Sequence, residues 1–152
     1  MIDLPVKTLY FDTNYLFRLY STESGAAAVQ ELANEVELIM IAWHGRAELA
    51  SILLRKRREA ALTEESAQEI RGQIADDVAL GLVEFLPLTD AVMTRLETVL
   101  AEAPATINIR AADALHLACA AEHGFGIVYS NDRLLLAAAP IFGLKGVNVI
   151  LP

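Results

Sequence analysis

Two aspartates stand where apolar runs of the sequence end. Asp12 directly follows "TLYF" (residues 8–11), and Asp132 follows "IVYSN" (127–131). A carboxylate beside a buried strand costs free energy unless a hydrogen bond or a cation compensates for the water it loses. Each aspartate therefore has two possible roles. Either Asp12 is the N-cap of a helix and Asp132 closes an Asx turn, or both residues hold a ligand.

A third acidic residue, Asp113, lies in "AADALHLACAA" (111–121), a helix-like segment that is apolar on almost every face. Its carboxylate needs a partner there. That partner is either a polar cleft or Arg110, which is close enough along a helix to form an ion pair.

Glu48 is the fourth acidic candidate, and it shares one helical face with Ser51 and Arg55. This face is either solvated or tilted toward the edge of a sheet. In the second case we expect the opposite face to enter the core through Ala47, Ala50 and Leu54.

Carboxylates gathered in one pocket repel one another by on the order of several kcal/mol unless protons or cations intervene. A divalent cation is the usual solution. The candidate ligands are all oxygen atoms, with no cysteine and no paired histidines among them. This donor set favours Mg²⁺ or Mn²⁺ over Zn²⁺.

Five apolar, β-rich runs bounded by turn signals predict the strands that position these residues. They cover residues 8–11, 36–42, 82–88, 125–130 and 146–152. Helices are predicted between them, at residues 13–20, 25–34, 43–60, 63–81, 89–103 and 108–124, with a short helix after Asp132.

This alternation predicts an α/β fold, a three-layer α/β/α sandwich with a mainly parallel five-stranded sheet. No repeat, low-complexity tract or flexible linker interrupts the chain, so residues 1–152 are predicted to form a single domain. Ligands of such sheets bind beyond the carboxyl ends of the strands, where Asp12 and Asp132 are expected to meet.

The charge and the cysteine content of the chain restrict its possible binding partners and its cellular compartment. Its 20 acidic and 12 basic residues give a net charge of −8, so binding of a nucleic acid would need local basic residues. The single cysteine, Cys119, excludes an intramolecular disulfide and reads as a small buried hydrophobe. The N-terminus lacks a signal-peptide pattern and no run reaches the ~18 apolar residues of a membrane span, which predicts a cytoplasmic protein.

Four short motifs lie in order along nearly the whole chain: "DTNYLF" (12–17), "AELAS" (47–51), "RAADALHLACAAEHG" (110–124) and "IVYSNDRLL" (127–135). Each motif alone is weakly specific. Together, in a chain of this size, they resemble the PIN-domain family of metal-dependent ribonucleases, and within it the VapC-like toxins of toxin–antitoxin pairs.

By this resemblance an acidic quartet carries catalysis and metal binding, and three polar residues orient the quartet or a bound water. The quartet corresponds to Asp12, Glu48, Asp113 and Asp132. The polar residues correspond to Thr13, Asn14 and Ser130. Asn131 is the alternative to Asp132 as the side chain that points into the site.

The resemblance also implies a reaction and its partners. The reaction is hydrolysis of an RNA phosphodiester by water that Mg²⁺ or Mn²⁺ activates, leaving a 5′-phosphate and a 3′-hydroxyl. The partners are an RNA substrate, a cognate antitoxin protein and a second copy of the chain in a homodimer, for which the face of residues 69–83 is a candidate. We hypothesise that the antitoxin inhibits by placing an Arg or Lys in the acidic pocket.

Several basic residues are candidates for holding the RNA backbone: Arg55, Lys56, Arg57, Arg58, Arg110 and Arg133. The first four end the helix of Glu48, where the helix dipole favours cations even without a ligand. The three histidines, His44, His116 and His123, lack metal-ligand spacing, except that His116 lies one turn from Asp113, and all three are predicted to be core or surface residues.

Two other functions fit part of this pattern. A dehalogenase-like phosphatase also has an aspartate after its first strand, but it requires a second aspartate where this chain has Asn14, and a late lysine that "SNDRLL" lacks. A catalytically inactive PIN-like module would bind only protein or RNA. The presence of all four acidic residues argues against this module.

Overall fold

The structure is a computed structural model that describes residues 7–152. The prediction that the chain begins without a signal peptide falls on residues 1–6, outside that range. The strands are β1 (Thr8–Tyr10), β2 (Leu38–Ala42), β3 (Val83–Leu86), β4 (Ile127–Tyr129) and β5 (Lys145–Val147). The helices are α1 (Thr13–Tyr20), α2 (Ala26–Asn34), α3 (Gly45–Arg58), α4 (Glu64–Ala79), α5 (Asp90–Glu102), α6 (Ala111–Glu122) and α7 (Arg133–Ala138), followed by a 3₁₀ turn at Ala139–Phe142.

All strand pairs are parallel, as predicted, but the hydrogen bonding divides the strands into two sheets. One sheet has the order β1-β2-β3 and the other pairs β4 with β5. A single bridge between Phe11 and Tyr129 connects the sheets, and the amide of Asp12 donates to the carbonyl of Tyr129 at 3.1 Å. The carboxyl ends of β1 and β4 therefore lie side by side, so the residues that follow them share one edge.

The side chains of the central strand alternate between the two faces of the sheet, and this alternation produces the sandwich. In β2, Ile39 and Ile41 pack with α1 and α2, whereas Met40 and Ala42 pack in the cluster formed with α5, α6 and α7. Successive side chains of a strand point to opposite faces, so an uninterrupted apolar run can cover two layers of helices. The three-layer α/β/α fold predicted from the sequence is confirmed.

Helix α3 packs by a different face from the one predicted. Leu49, Ile52 and Leu53 are buried against α1 and α4, whereas Leu54 is 58% exposed and Ala47 and Ala50 face solvent. The prediction of Ala47, Ala50 and Leu54 as core residues is therefore wrong. The buried stripe adjoins Glu48 rather than lying opposite it, so Glu48 stands at the margin of the core.

The last strand is shorter than its apolar run, and a side chain explains where it ends. The Tyr15 hydroxyl donates to Oδ1 of Asn148 at 2.6 Å and accepts from the amide of Val149 at 2.7 Å. These bonds hold the segment after Val147 on α1 instead of in the sheet. None of the helices in residues 7–152 has the length and apolar character that a membrane span requires.

Two helical glycines give opposite predictions for replacement by alanine. A Cβ on Gly45, at the start of α3, would lie 2.7 Å from Cδ1 of the fully buried Ile41, whereas a Cβ on Gly72, within α4, meets nothing within 4 Å. Gly45→Ala should lower the free energy of unfolding by about 1–3 kcal/mol through overpacking. Gly72→Ala, the matched control, should raise it by about 0.5–1 kcal/mol because alanine favours the helix. Urea denaturation measures both, and a neutral Gly45→Ala would contradict the close packing of α3 on β2.

Candidate active site

A polar cleft of about 440 Å³ opens at the carboxyl ends of β1 and β4. All four acidic candidates line it, together with polar, basic and apolar side chains from α1, α3 and the start of α6. The lining residues are Asp12, Thr13, Asn14, Ala47, Glu48, Ser51, Ile52, Arg55, Arg110, Ala112, Asp113, His116 and Asp132. The fold thus brings together residues that are far apart in the sequence.

Asp12 is a helix cap and a wall of the cleft at the same time. Its Oδ1 accepts from the amide of Tyr15 at 2.9 Å, and its Oδ2 accepts from the Ser130 hydroxyl. The residue is only 4% exposed. Burial raises the pKa of Asp12 to about 6, although the hydrogen bond from Ser130 opposes this shift. The N-cap interpretation drawn from the sequence is therefore confirmed, and the same side chain lines the cleft in which a ligand would bind.

Asp132 also combines the two roles. Its Oδ1 accepts from the amides of Leu134 and Leu135 at 2.9 and 3.1 Å, which caps α7. Ser130 accepts from the amide of Asp132 at 2.9 Å while it donates to Asp12, so one hydroxyl connects the two aspartates. Asp132, and not Asn131, is the side chain that lines the cleft.

Glu48 is held from two sides through the same oxygen. Its Oε1 accepts from the Thr13 hydroxyl at 2.9 Å and lies 2.7 Å from Nε2 of His116. Burial raises the pKa of Glu48, but hydrogen bonds from His116 and Thr13 outweigh burial, so the net pKa lies below its ordinary value. Glu48 is therefore a carboxylate at neutral pH.

Asp113 lies near other carboxylates of the cleft. Within residues 7–152 no ion pair joins it to Arg110, so the capping pair considered from the sequence is absent. Burial raises the pKa of Asp113, and the neighbouring charges of Asp132 and Glu48 raise it further. The charges of His116 and Arg110 act in the opposite direction but only partly compensate, so the net pKa lies above its ordinary value.

Two histidines lie beside Glu48. In the described part of the chain, His44, Glu48 and His116 bring three ligand atoms within 4.8 Å of one another. Nε2 of His44, however, lies 2.8 Å from the carbonyl of Ala112, which can only accept, so this nitrogen carries a proton. Nε2 of His116 likewise faces a carboxylate at 2.7 Å. Both nitrogens are hydrogen-bond donors here, which disfavours a nitrogen-ligated metal.

The four carboxylates, by contrast, fit a hard divalent cation. Oxygen donors suit Mg²⁺ and Mn²⁺, and burial together with neighbouring carboxylates raises the pKa of Asp12 and of Asp113, so a bound cation would favour their ionised forms. Asp12, Asp113 and Asp132 do not join the tight group around Glu48. Wide spacing is compatible with Mg²⁺, which keeps several of its waters and binds few carboxylates directly.

The basic candidates are distributed unevenly. Arg55 and Arg110 line the cleft. Lys56 and Arg57 form ion pairs with glutamates of the protein, Glu23 and Glu64 respectively. Arg58 and Arg133 are exposed and are not among the residues that line the cleft.

His116 is the cleft residue that sequence analysis did not select. It is buried, as predicted for a core residue, but its ring contacts Glu48, Thr13 and Tyr10. One signal was present: His116 follows Asp113 by three residues, which places both on the same face of α6. Nothing in the sequence indicated that this face would meet Glu48 of α3.

Comparison by sequence identifies the family. The profile of the PIN domain matches residues 9–139, which is most of the chain. The chain therefore belongs to the PIN domain family, and the resemblance drawn from its motifs is confirmed. No curated protein matches the sequence significantly.

Solved structures with the same fold cover nearly the whole chain. VapBC2 from Rickettsia felis, solved in complex with a DNA fragment from its promoter, is 16% identical to this chain and has a TM-score of 0.67. The match covers 93% of this chain and 98% of that chain. FitAcB from Neisseria gonorrhoeae is 18% identical with a TM-score of 0.70, over 93% and 97%. Mycobacterium tuberculosis VapC20, a sarcin-ricin loop cleaving toxin, is 16% identical with a TM-score of 0.62, over 86% and 94%.

Removing the charge of Asp113 should stabilise the metal-free protein. A raised pKa means that ionisation is less favourable in the folded chain, so the destabilisation grows as the pH rises above the usual aspartate value of about 3.9. In EDTA, Asp113→Asn should melt at or above the wild-type temperature at about pH 8, with a smaller difference at about pH 4.5. Circular dichroism measures the melts.

The control for this measurement is Glu97→Gln, which changes an exposed carboxylate on α5. It should show no comparable pH-dependent difference from wild type. If Asp113→Asn melts well below wild type in EDTA, the charge of Asp113 stabilises the fold and its assignment as a metal ligand is wrong.

Proposed function

We propose that the protein is a metal-dependent ribonuclease that hydrolyses RNA phosphodiester bonds, and that it is the toxin of a toxin–antitoxin pair. The observation that carries the proposal is the cleft of a PIN domain that four carboxylates line together, with the pKa of Asp113 raised by burial and by the charges of Asp132 and Glu48. VapC20, which has the same fold, is a toxin that cleaves the sarcin-ricin loop.

The metal would be held by Asp12, Glu48, Asp113 and Asp132. When bound, Mg²⁺ or Mn²⁺ supplies a water of lowered pKa and stabilises negative charge on the phosphate. Ser130 orients Asp12 and the turn at Asp132, because its oxygen is bonded to both residues. Thr13 orients Glu48 by donating to Oε1.

RNA would be bound by local positive charge in an acidic protein. Arg55 and Arg110 are the arginines that line the cleft, one on α3 and one at the start of α6, and we expect them to contact phosphates of the bound RNA. Arg58 and Arg133 would contact RNA farther from the cleft. Asn14, exposed at the cleft, adds a neutral donor.

An antitoxin and a second copy of the chain are the proposed protein partners. VapBC2 and FitAcB are toxin–antitoxin complexes with the same fold, and this supports an antitoxin as partner. Val78, Leu80 and Leu82 are 41%, 73% and 46% exposed in the face of residues 69–83, which supports an apolar interface there. We retain the hypothesis that a basic side chain of the antitoxin enters the acidic cleft.

Cleavage of RNA should require Mg²⁺ or Mn²⁺ and cease in EDTA. Asp12→Asn and Asp113→Asn should each lower the rate by about 100-fold or more, with equal or smaller losses for Glu48→Gln and Asp132→Asn, because ligands of one site are not additive. Asparagine caps helices as well as aspartate does, so the losses at Asp12 and Asp132 would report the charge and not the cap. The rate is measured on labelled single-stranded RNA.

Glu97→Gln on α5, an exposed carboxylate outside the cleft, is the control and should cleave at the wild-type rate. Wild-type cleavage in either Asp12→Asn or Asp113→Asn would refute the assignment of the site. If the wild type bound RNA or a partner but cleaved no RNA with Mn²⁺, the alternative of a catalytically inactive PIN-like binding module would replace the proposal.

A further inference from the structure

A chain of hydrogen bonds runs from the interior of the sheet to the cleft. The amide of Ala42 donates to the Tyr10 hydroxyl at 3.2 Å, and this hydroxyl lies 3.0 Å from Nδ1 of His116. On the other edge of the imidazole, Nε2 lies 2.7 Å from Oε1 of Glu48. Tyr10 and His116 are 0% and 1% exposed, so water does not compete for these bonds.

The donors and acceptors of this chain determine where its protons lie. Oε1 of Glu48 belongs to a carboxylate and can only accept, so the hydrogen of the 2.7 Å contact sits on Nε2 of His116. A neutral imidazole with a proton on Nε2 has an acceptor at Nδ1. The Tyr10 oxygen already accepts from Ala42, so its own proton can be donated to Nδ1.

We propose that His116, held in this tautomer by Tyr10, is a positioning residue that fixes Glu48 for binding of the metal. The bonds from His116 and Thr13 both end on Oε1. They fix the orientation of the carboxylate and leave Oε2 outside both bonds, with its capacity as a ligand intact. The inference rests on the function proposed above, in which Glu48 is a metal ligand.

A purely structural role for His116 makes a different prediction. A core histidine contributes packing and satisfied hydrogen bonds, so its effect would follow the stability of the protein. A positioning residue acts through one donor directed at Oε1 of Glu48. Glutamine can place an amide nitrogen close to the position of Nε2, whereas leucine fills similar volume without a donor.

The first experiment compares His116→Gln with His116→Leu by calorimetric titration with Mn²⁺. His116→Leu should weaken Mn²⁺ binding by about 10–100-fold, the usual effect of losing a partner that orients a ligand, and His116→Gln should retain most of the affinity. His123→Gln, at the end of the same helix, is the control and should bind Mn²⁺ as wild type does. Equal losses in the two His116 variants, or no loss in either, would overturn the proposal.

The second experiment does not depend on metal or on folding of the leucine variant. Nitrogen NMR of the metal-free wild type should show the proton of His116 on Nε2 and a hydrogen-bonded acceptor at Nδ1, and Tyr10→Phe should shift the Nδ1 signal. A proton on Nδ1 with bare Nε2 would overturn the positioning role alone. A wild type that binds no Mn²⁺ would instead refute the proposed function, so the two failures are distinguishable.

Discussion

The main physical constraint on this structure is the free-energy cost of holding four carboxylates in one cleft at the ends of parallel strands. Part of the compensation comes from the backbone, because Asp12 and Asp132 each cap a helix and accept amide hydrogen bonds there. Ser130, Thr13 and His116 supply further donors. These groups satisfy Asp12, Asp132 and Glu48, whereas the pKa of Asp113 is raised by burial and by the charges of Asp132 and Glu48, which His116 and Arg110 offset only in part. The remaining imbalance is what a divalent cation would neutralise.

Capping and ligand binding are compatible because they use different lone pairs. A carboxylate has two oxygens and about four acceptor positions, and the N-cap of α7 uses only Oδ1 of Asp132. Asp12 accepts one hydrogen bond at each oxygen. A parallel sheet favours this double use because its strands end where the next helices begin, so one residue can start the helix and face the crevice.

Local sequence signals predicted most of the fold. The helices predicted at residues 63–81 and 89–103 begin at Glu64 and Asp90, each after a threonine N-cap, and apolar runs located all five strands. The buried face of α3 was not predictable in the same way. Leu49, Leu53 and Leu54 are all apolar, and only the position of α1 and α4 decides which of them is buried. The division of the sheet after β1 is also a tertiary effect, since it depends on how β4 approaches Phe11.

The sequence marked an acidic residue of the site, Asp113, for a reason that does not apply to His116, the histidine that contacts Glu48. A carboxylate in an apolar segment conflicts with burial, so the sequence itself marks Asp113 as unusual. Histidine is tolerated in cores when its nitrogens are satisfied, so His116 gave no such signal. Its contact with Glu48 depends on the fold bringing α6 and α3 to the same cleft, between residues 68 positions apart.

The central claim is that the carboxylates of the cleft bind a divalent cation, and electron paramagnetic resonance of Mn²⁺ tests it most directly. Titrating the protein into a fixed amount of Mn²⁺ should remove the signal of the free ion in a saturable way. The same titration with Asp113→Asn should require at least about tenfold more protein to remove the free-ion signal, because a carboxylate ligand is replaced by a neutral amide. Identical titrations of wild type and variant, or no loss of the free-ion signal with wild type, would contradict the account.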